Sequence, residues 1–269
     1  MSYASLPTAP TTTGLATAGR RVATALVRLS LMEAKLFLRE PLGAFFSIAF
    51  PALLVLMLGS AMPGFTEPVA ELGGLRPIDT YLPVVLALAI GTVAMVTLLP
   101  TLVTSRERGI LRRLSATPVT PIALLCAQMV VNVAALIAGV ALALGTAWLA
   151  FDVVWPANVA GLLLAFVLGS TAMVSVGLFV AAISPSTSAS VGIGSLVYYP
   201  MLFAAGVWTP GPAMPDAVRR IADYTPLGAA SQAMQDAWAG QWPSLLHVMV
   251  MLAFTGGFAA LAARFFRWE

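Results

Sequence analysis

Charge is what this sequence lacks most. Its 269 residues carry 14 Lys+Arg and 11 Asp+Glu, so that 9% of the chain is charged while 59% is hydrophobic. A soluble domain is about 25% charged and about 45–50% apolar. Too few charges are present to coat a surface facing water. A soluble enzyme, a nucleic-acid-binding domain and a disordered chain are excluded on that ground. The pI near 9.4 is no nucleic-acid footprint, because the net charge is only +3. Cysteine and histidine are nearly absent: Cys126 and His247 stand alone. One cysteine makes no disulfide scaffold, and the pair argues against a zinc or Cys/His catalytic site. Lysine is scarcer than arginine. The single Lys35 sits in Glu33-Ala34-Lys35-Leu36 with no glycine beside it. A phosphate-binding loop needs Gly-x-x-x-x-Gly-Lys-Ser/Thr, so the chain has no such site for ATP. No cofactor or metal is expected in it.

What fills the sequence is long apolar runs. A spanning helix needs about 20 apolar residues with few charges. The charge-free windows place six such spans at about residues 42–61, 81–103, 121–150, 157–183, 189–207 and 243–263. The window from Asp152 to Asp216 is too long for one span, and Ser184-Pro185-Ser186-Thr187-Ser188 divides it. Proline lacks a donor, and the Ser/Thr cluster favours a turn. Residues 1–19 are rich in Thr, Ala and Pro and carry no charge. They lack the basic start and continuous apolar core of a signal peptide, and read as a disordered cytoplasmic tail.

The loops carry the orientation. Eleven of the Lys/Arg residues fall before the first span, in the second-to-third loop and in the tail, and only Arg76, Arg219 and Arg220 fall opposite. The positive-inside rule then puts both termini in the cytoplasm of a multi-pass plasma-membrane protein. No internal repeat is visible, which argues against an inverted-repeat secondary transporter.

Residues 20–40 form a basic amphipathic segment. At about 100° per residue, Arg21, Arg28, Lys35 and Arg39 fall within about 40° of one another. Val22, Leu26, Leu29, Leu36 and Phe37 lie off that stripe, and Glu33 and Glu40 interrupt the apolar side. The pattern suits an interfacial helix whose basic residues meet anionic head groups. A plain basic flank is the alternative.

The densest charge cluster is Thr104 to Pro121, TSRERGILRRLSATPVTP. Arg106, Glu107, Arg108, Arg112 and Arg113 alternate with Ile110, Leu111 and Leu114, suiting a short helix that enters a groove on a partner. A solvated loop that only sets topology is the other reading. The string SRERGILRRLSATPVTP resembles the cytoplasmic coupling segment of ABC-2 type permeases, the membrane subunits of drug, antibiotic and polysaccharide exporters. Ile110 stands where the family often has Thr, and Ser105 where an acid is common. The Glu107–Gly109–Leu111–Leu114 frame and the Thr117-Pro118-Val119 ending remain. A second likeness lies in Gly206-Val207-Trp208-Thr209-Pro210, Met214-Pro215, Ile221-Ala222 and Tyr224-Thr225-Pro226-Leu227. In the family that signature forms an outer re-entrant pair of half-helices.

The resemblance covers residues 20–269 and is closest to daunorubicin-resistance-type drug exporters. It implies an all-α integral membrane fold: an interfacial helix at 20–40, six transmembrane helices, a coupling helix within 104–118 and a re-entrant segment at 210–236. Arg106, Glu107, Arg108, Gly109, Leu111, Arg112 and Leu114 are then the coupling residues. The partners are an ABC ATPase subunit holding ATP and Mg, a second permease copy as homodimer or heterodimer, and membrane lipids. Drugs, antibiotics or other amphiphilic compounds would pass between the second and fifth spans, along Met95, Leu99, Tyr198, Phe203 and Trp208. Export of a polysaccharide or lipid-linked glycan is the alternative within the family.

Readings from other classes fare worse on the residues. An intramembrane enzyme needs clustered nucleophiles, carboxylates or metal ligands inside spans; a passive channel or a structural membrane anchor is the third reading, and channels tend to show charged rings or carbonyl filters. Ion-coupled transport usually places carboxylates in the membrane, and all eleven acids here map to loops or helix ends. His247 reads as a lone interfacial histidine and Cys126 as a small packing residue. Gln128 and Asn132 lie four apart on one helical face and either join helices or line a path. The many methionines, Met129 and Met173 among them, suit adaptable packing.

Overall fold

A computed structural model describes residues 12–70, 74–109, 121–208 and 214–265, with side chains from 26 and from 123 in the segments that open with α1 and α4. The described residues are helical throughout their ordered elements. The helices are α1 (Thr12–Arg39), α2 (Pro41–Ala61), α3 (Pro77–Glu107), α4 (Pro121–Phe151), α5 (Val159–Ile183), α6 (Thr187–Ala204), α7 (Asp216–Ala222), α8 (Pro226–Trp238) and α9 (Leu245–Phe265). Five of them, α2, α3, α4, α5 and α9, are long and apolar enough to cross a membrane. The fifth expected span, 189–207, corresponds to α6. Its 18 residues reach only about 27 Å at 1.5 Å per residue, and Ser, Gly and Pro200 dilute its apolar content. α1 begins at Thr12, inside the stretch read from sequence as a tail.

α3 is the central post. Of its most apolar window 94% is buried by the rest of the chain, against 22% for α2 and 17% for α9. α5 packs along α9 and α8, and α2 along α4. Small residues permit the close approaches. A Cβ added at Gly169 would sit 2.6 Å from the Ala230 Cβ, and one at Gly139 would sit 2.1 Å from the Ser47 carbonyl oxygen. Without a hydrophobic drive between helices in lipid, such backbone contact is what van der Waals packing rewards.

Two helices change gauge, each for a proline. In α2 residues Phe45–Ala49, and in α3 residues Val93–Leu98, form π-helical turns. They run into Pro51 and Pro100. A proline has no N–H, and its ring collides with the carbonyl four residues back. Widening the preceding turn relieves both problems: Phe50 donates to the Phe45 carbonyl and Leu99 to the Ala94 carbonyl, five residues back.

Helix boundaries follow capping chemistry. Asn158, Ser186 and Thr225 each accept from a backbone N–H three residues on, at the starts of α5, α6 and α8. Pro226 occupies the first turn of α8, where a missing donor costs nothing. The helix ends alternate. Arg76 at the start of α3 meets Phe151 at the end of α4, and Gly161 at the start of α5 lies under Pro243 before α9. At the other end, Glu107 of α3 meets Thr187 of α6, and Phe179 of α5 meets Phe265 of α9 edge to face.

Candidate functional site

The start of the expected coupling segment is built into the bundle. Arg106 donates to the carbonyls of Ala181 at 3.1 Å and Ala182 at 3.4 Å, and to that of Ser184. These are the last acceptors of α5, left open because a helix end has no intrahelical partners for them. Glu107 does the converse. Its carboxylate accepts from the Thr187 N–H at 3.0 Å and the Thr187 hydroxyl at 2.5 Å, at the opening of α6. A cation thus meets the negative end of one helix and an anion the positive end of the next. Thr104 adds a hydroxyl contact to Thr187 at 3.1 Å. Neighbouring residues of α3 therefore grip the α5–α6 turn from both sides.

Arg108 is exposed, and Gly109 ends the helix. Its φ of +65° is a left-handed conformation that favours glycine, and its N–H donates to the Arg106 carbonyl at 2.9 Å. Leu111, Arg112 and Leu114 lie outside the described residues, as does most of the expected coupling helix.

A buried polar ladder ties the same half of α3 to α4. The Thr97 hydroxyl meets Asn132 Oδ1 at 2.9 Å, and Gln128 Nε2 donates to the Ser105 hydroxyl at 3.0 Å. Asn132 in turn donates to the Gln128 carbonyl at 2.9 Å. Gln128 and Asn132 are thus interhelical joints, the first of the two roles open to them from sequence. The Gln128 side chain also faces Glu33 of α1. Burial raises that carboxyl above the usual carboxylate range, with the Gln128 hydrogen bond pulling the other way.

The expected path residues divide into two groups. Met95, Leu99 and Tyr198 are buried on the seam between α3 and α6. An added Cβ at Gly194 would sit 2.7 Å from Leu99 Cδ2, and one at Gly91 would sit 2.3 Å from the Tyr198 ring. The Tyr198 hydroxyl meets Thr92 at 2.8 Å and donates to the Leu88 carbonyl at 3.1 Å. Phe203 and Trp208 are exposed, with ring centroids 6.1 Å apart. The seam is closed within one chain.

Two polar clusters occupy the opposite end. Arg76 pairs with Asp79 through two bonds, at 2.7 and 3.0 Å, and donates to the Phe151 and Asp152 carbonyls at the end of α4. The Asp79 hydrogen bond raises the Arg76 pKa further. The second cluster gives His247 a setting that sequence reasoning missed. Its Nε2 lies 3.1 Å from Asp223, and its Nδ1 lies 3.7 Å from Asp236, beyond hydrogen-bond range but close enough for charge attraction. The histidine opens α9, while the acids follow α7 and end α8, so one side chain links three helices. No periodicity announces it, because the partners come from separate elements. Cys126 is exposed, not packed inside.

A family model described as ABC-2 type transporter matches residues 24–239, from α1 to the residue after α8. No curated protein and no solved structure matches the chain.

Proposed function

The chain belongs to the ABC-2 type transporter family, and from that premise we propose that it is the permease half of an ATP-driven exporter of amphiphilic compounds such as drugs or antibiotics. As a permease subunit of an ABC transporter it works with a separate ABC ATPase, which would bind the ATP and Mg. Two permease copies, alike or paralogous, would enclose the path. α6 would complete a set of six crossings, both termini would be cytoplasmic, and α7 and α8 would dip in from the outer side.

The observation that carries the coupling reading is the grip of Arg106 and Glu107 on the α5–α6 turn. A push on the segment 104–118 reaches α6 through Thr187, α5 through its last carbonyls and α4 through Gln128 and Asn132. Rigid-body shifts of packed helices are the usual output of such a push. Met95, Leu99 and Tyr198 lie on the seam that would part. Its apolar lining supports an uncharged or amphiphilic substrate over a charged glycan, which would need polar or basic groups along its route.

The test is co-purification of the permease with its ATPase, followed by ATP hydrolysis with and without candidate amphiphiles. The reading expects a stable complex whose hydrolysis is stimulated by transported compounds. An ATPase complex that only charged glycans stimulate would move the substrate to the alternative class. A permease that binds no ATPase would end the coupling scheme.

A further inference from the structure

A groove of about 540 Å³ runs between α1 and α4, floored by Ile48 of α2. Val27, Leu31 and Leu38 form its α1 wall and are all well exposed. The α4 wall is lined largely by alanines, with Ala134 and Ala138 opposite that wall. Small side chains on one helix facing large ones on the other leave the space open. The volume falls in the range of about 300–1,000 Å³ usual for small-molecule sites.

The charges around the groove are lopsided. At about 100° per residue, Arg28, Lys35 and Arg39 lie on one stripe beside the Leu31–Leu38 edge. All three are exposed, and none makes an ion pair among the described residues. The acids of this stretch, Glu33 in α1 and Glu40 just after it, fall beyond the opposite edge near Phe37, and Glu33 is held by Gln128. One lip of an apolar groove is therefore cationic, with no ion pair to these three side chains among the described residues.

We propose that this groove seats one anionic phospholipid that is bound and not transported. An acyl chain lies between α1 and α4, and the headgroup phosphate meets Lys35 and its basic neighbours. The charge favours an anionic lipid over a second copy of the protein, whose own α1 would bring the same Arg28, Lys35 and Arg39 stripe against this lip. Basic residues beside an apolar slot are the combination that retains anionic lipids, at about fivefold in affinity for each Lys or Arg near the headgroup.

The test is native mass spectrometry of the full chain in detergent, titrated separately with dioleoylphosphatidylglycerol and dioleoylphosphatidylcholine. The lipid titrations need neither ATPase nor substrate, so their outcome is independent of the transport reading. One tightly held phosphatidylglycerol per chain is expected, with phosphatidylcholine held at least about fivefold more weakly. Lys35→Ala, a surface change that leaves folding intact, should lower phosphatidylglycerol retention about fivefold and leave phosphatidylcholine unchanged. Ala134→Phe, which fills the slot, should lower retention of both. Equal retention of the two lipids, or wild-type retention in both variants, overturns the proposal. So does loss of a chain–chain dimer in Ala134→Phe with lipid retention intact, which gives the groove to a second copy. Displacement of the lipid by a transported amphiphile would make it a substrate site and overturn the proposal equally.

Discussion

At Asp79 a carboxylate is 8% exposed at the head of the central helix, and Arg76 is what makes that burial tolerable. Removing one partner of a buried pair leaves an uncompensated charge, at a cost of about 3 kcal/mol. Arg76 also caps the end of α4, so its loss frees the Phe151 and Asp152 carbonyls together. Arg76→Ala should therefore lower thermal stability in detergent by about 3 kcal/mol, and Asp79→Asn should recover part of it in the double variant. Equal melting of wild type and Arg76→Ala would show the pair to be solvated. Asp236 gives a prediction in pH. Burial raises its carboxyl above the usual range, with His247 acting against that. A raised acid contributes stability below its unfolded pKa and loses it as pH climbs through the folded value. Asp236→Asn should thus stabilise the protein more at pH 8 than at pH 5, read as the difference in melting temperature. The opposite order would mean that the fold favours the carboxylate form of Asp236, and that burial does not raise this acid. Glu107 holds Thr187 within the chain, and that hold can be tested apart from docking on an ATPase. Glu107→Gln and Thr187→Val should each reduce export several-fold, the double variant should be no worse, and Thr187→Val should keep its full ATPase complement. Additive losses would place Glu107 against the ATPase instead.

At the scale of elements, the approach of α6 to α3 depends on Gly91. A methyl there would meet the Tyr198 ring at 2.3 Å and Leu227 at 3.2 Å. A ring wedged between helices cannot step aside as a flexible chain would. Gly91→Ala should cost about 1–3 kcal/mol, and Tyr198→Ala in the same chain should return part of it. Additive losses would show that the helices part freely here. The long helices were the legible part of this architecture, because lipid excludes charge and the charge-free windows mark α2, α3, α4, α5 and α9. The π-helical turns were not legible, although Pro51 and Pro100 are in plain view. Proline announces a break, and only the local carbonyl geometry shows that a wider turn absorbs it. In the candidate site, Arg106 and Glu107 could be picked out by charge density, but not their hold on Ala181 and Thr187 some 75–80 residues away. The His247 setting was hidden for the same reason. Gln128 and Asn132 were visible as a pair, and the hydroxyls of Thr97 and Ser105 decided their role.

At the scale of the whole molecule, the alternating helix ends make orientation a single yes-or-no question. Arg76, Asp79, Asp223, Asp236 and His247 gather at one end, and Arg106, Glu107 and Thr187 at the other. α3, α5 and α9 run from the first end to the second. α3 alone is 31 residues long, about 46 Å, enough to cross a core of about 30 Å with both ends in water. Basic residues concentrate at the Arg106 end and on α1, whose Glu33 meets Gln128 there. The membrane potential and anionic inner lipids hold such loops inside. Cysteine labelling can decide it in intact cells once the exposed Cys126 is replaced by Ala. Cysteines placed at Glu67 and Asp216 should react with a membrane-impermeant maleimide. Cysteines placed at Arg108 and Ser186 should react only after the cells are opened. The reverse pattern would invert the protein, setting the Arg106 grip outside and out of an ATPase's reach. Labelling of Ser186 and Asp216 from the same side would be a different failure. It would mean that α6 turns back within the membrane, and that the set of crossings is five.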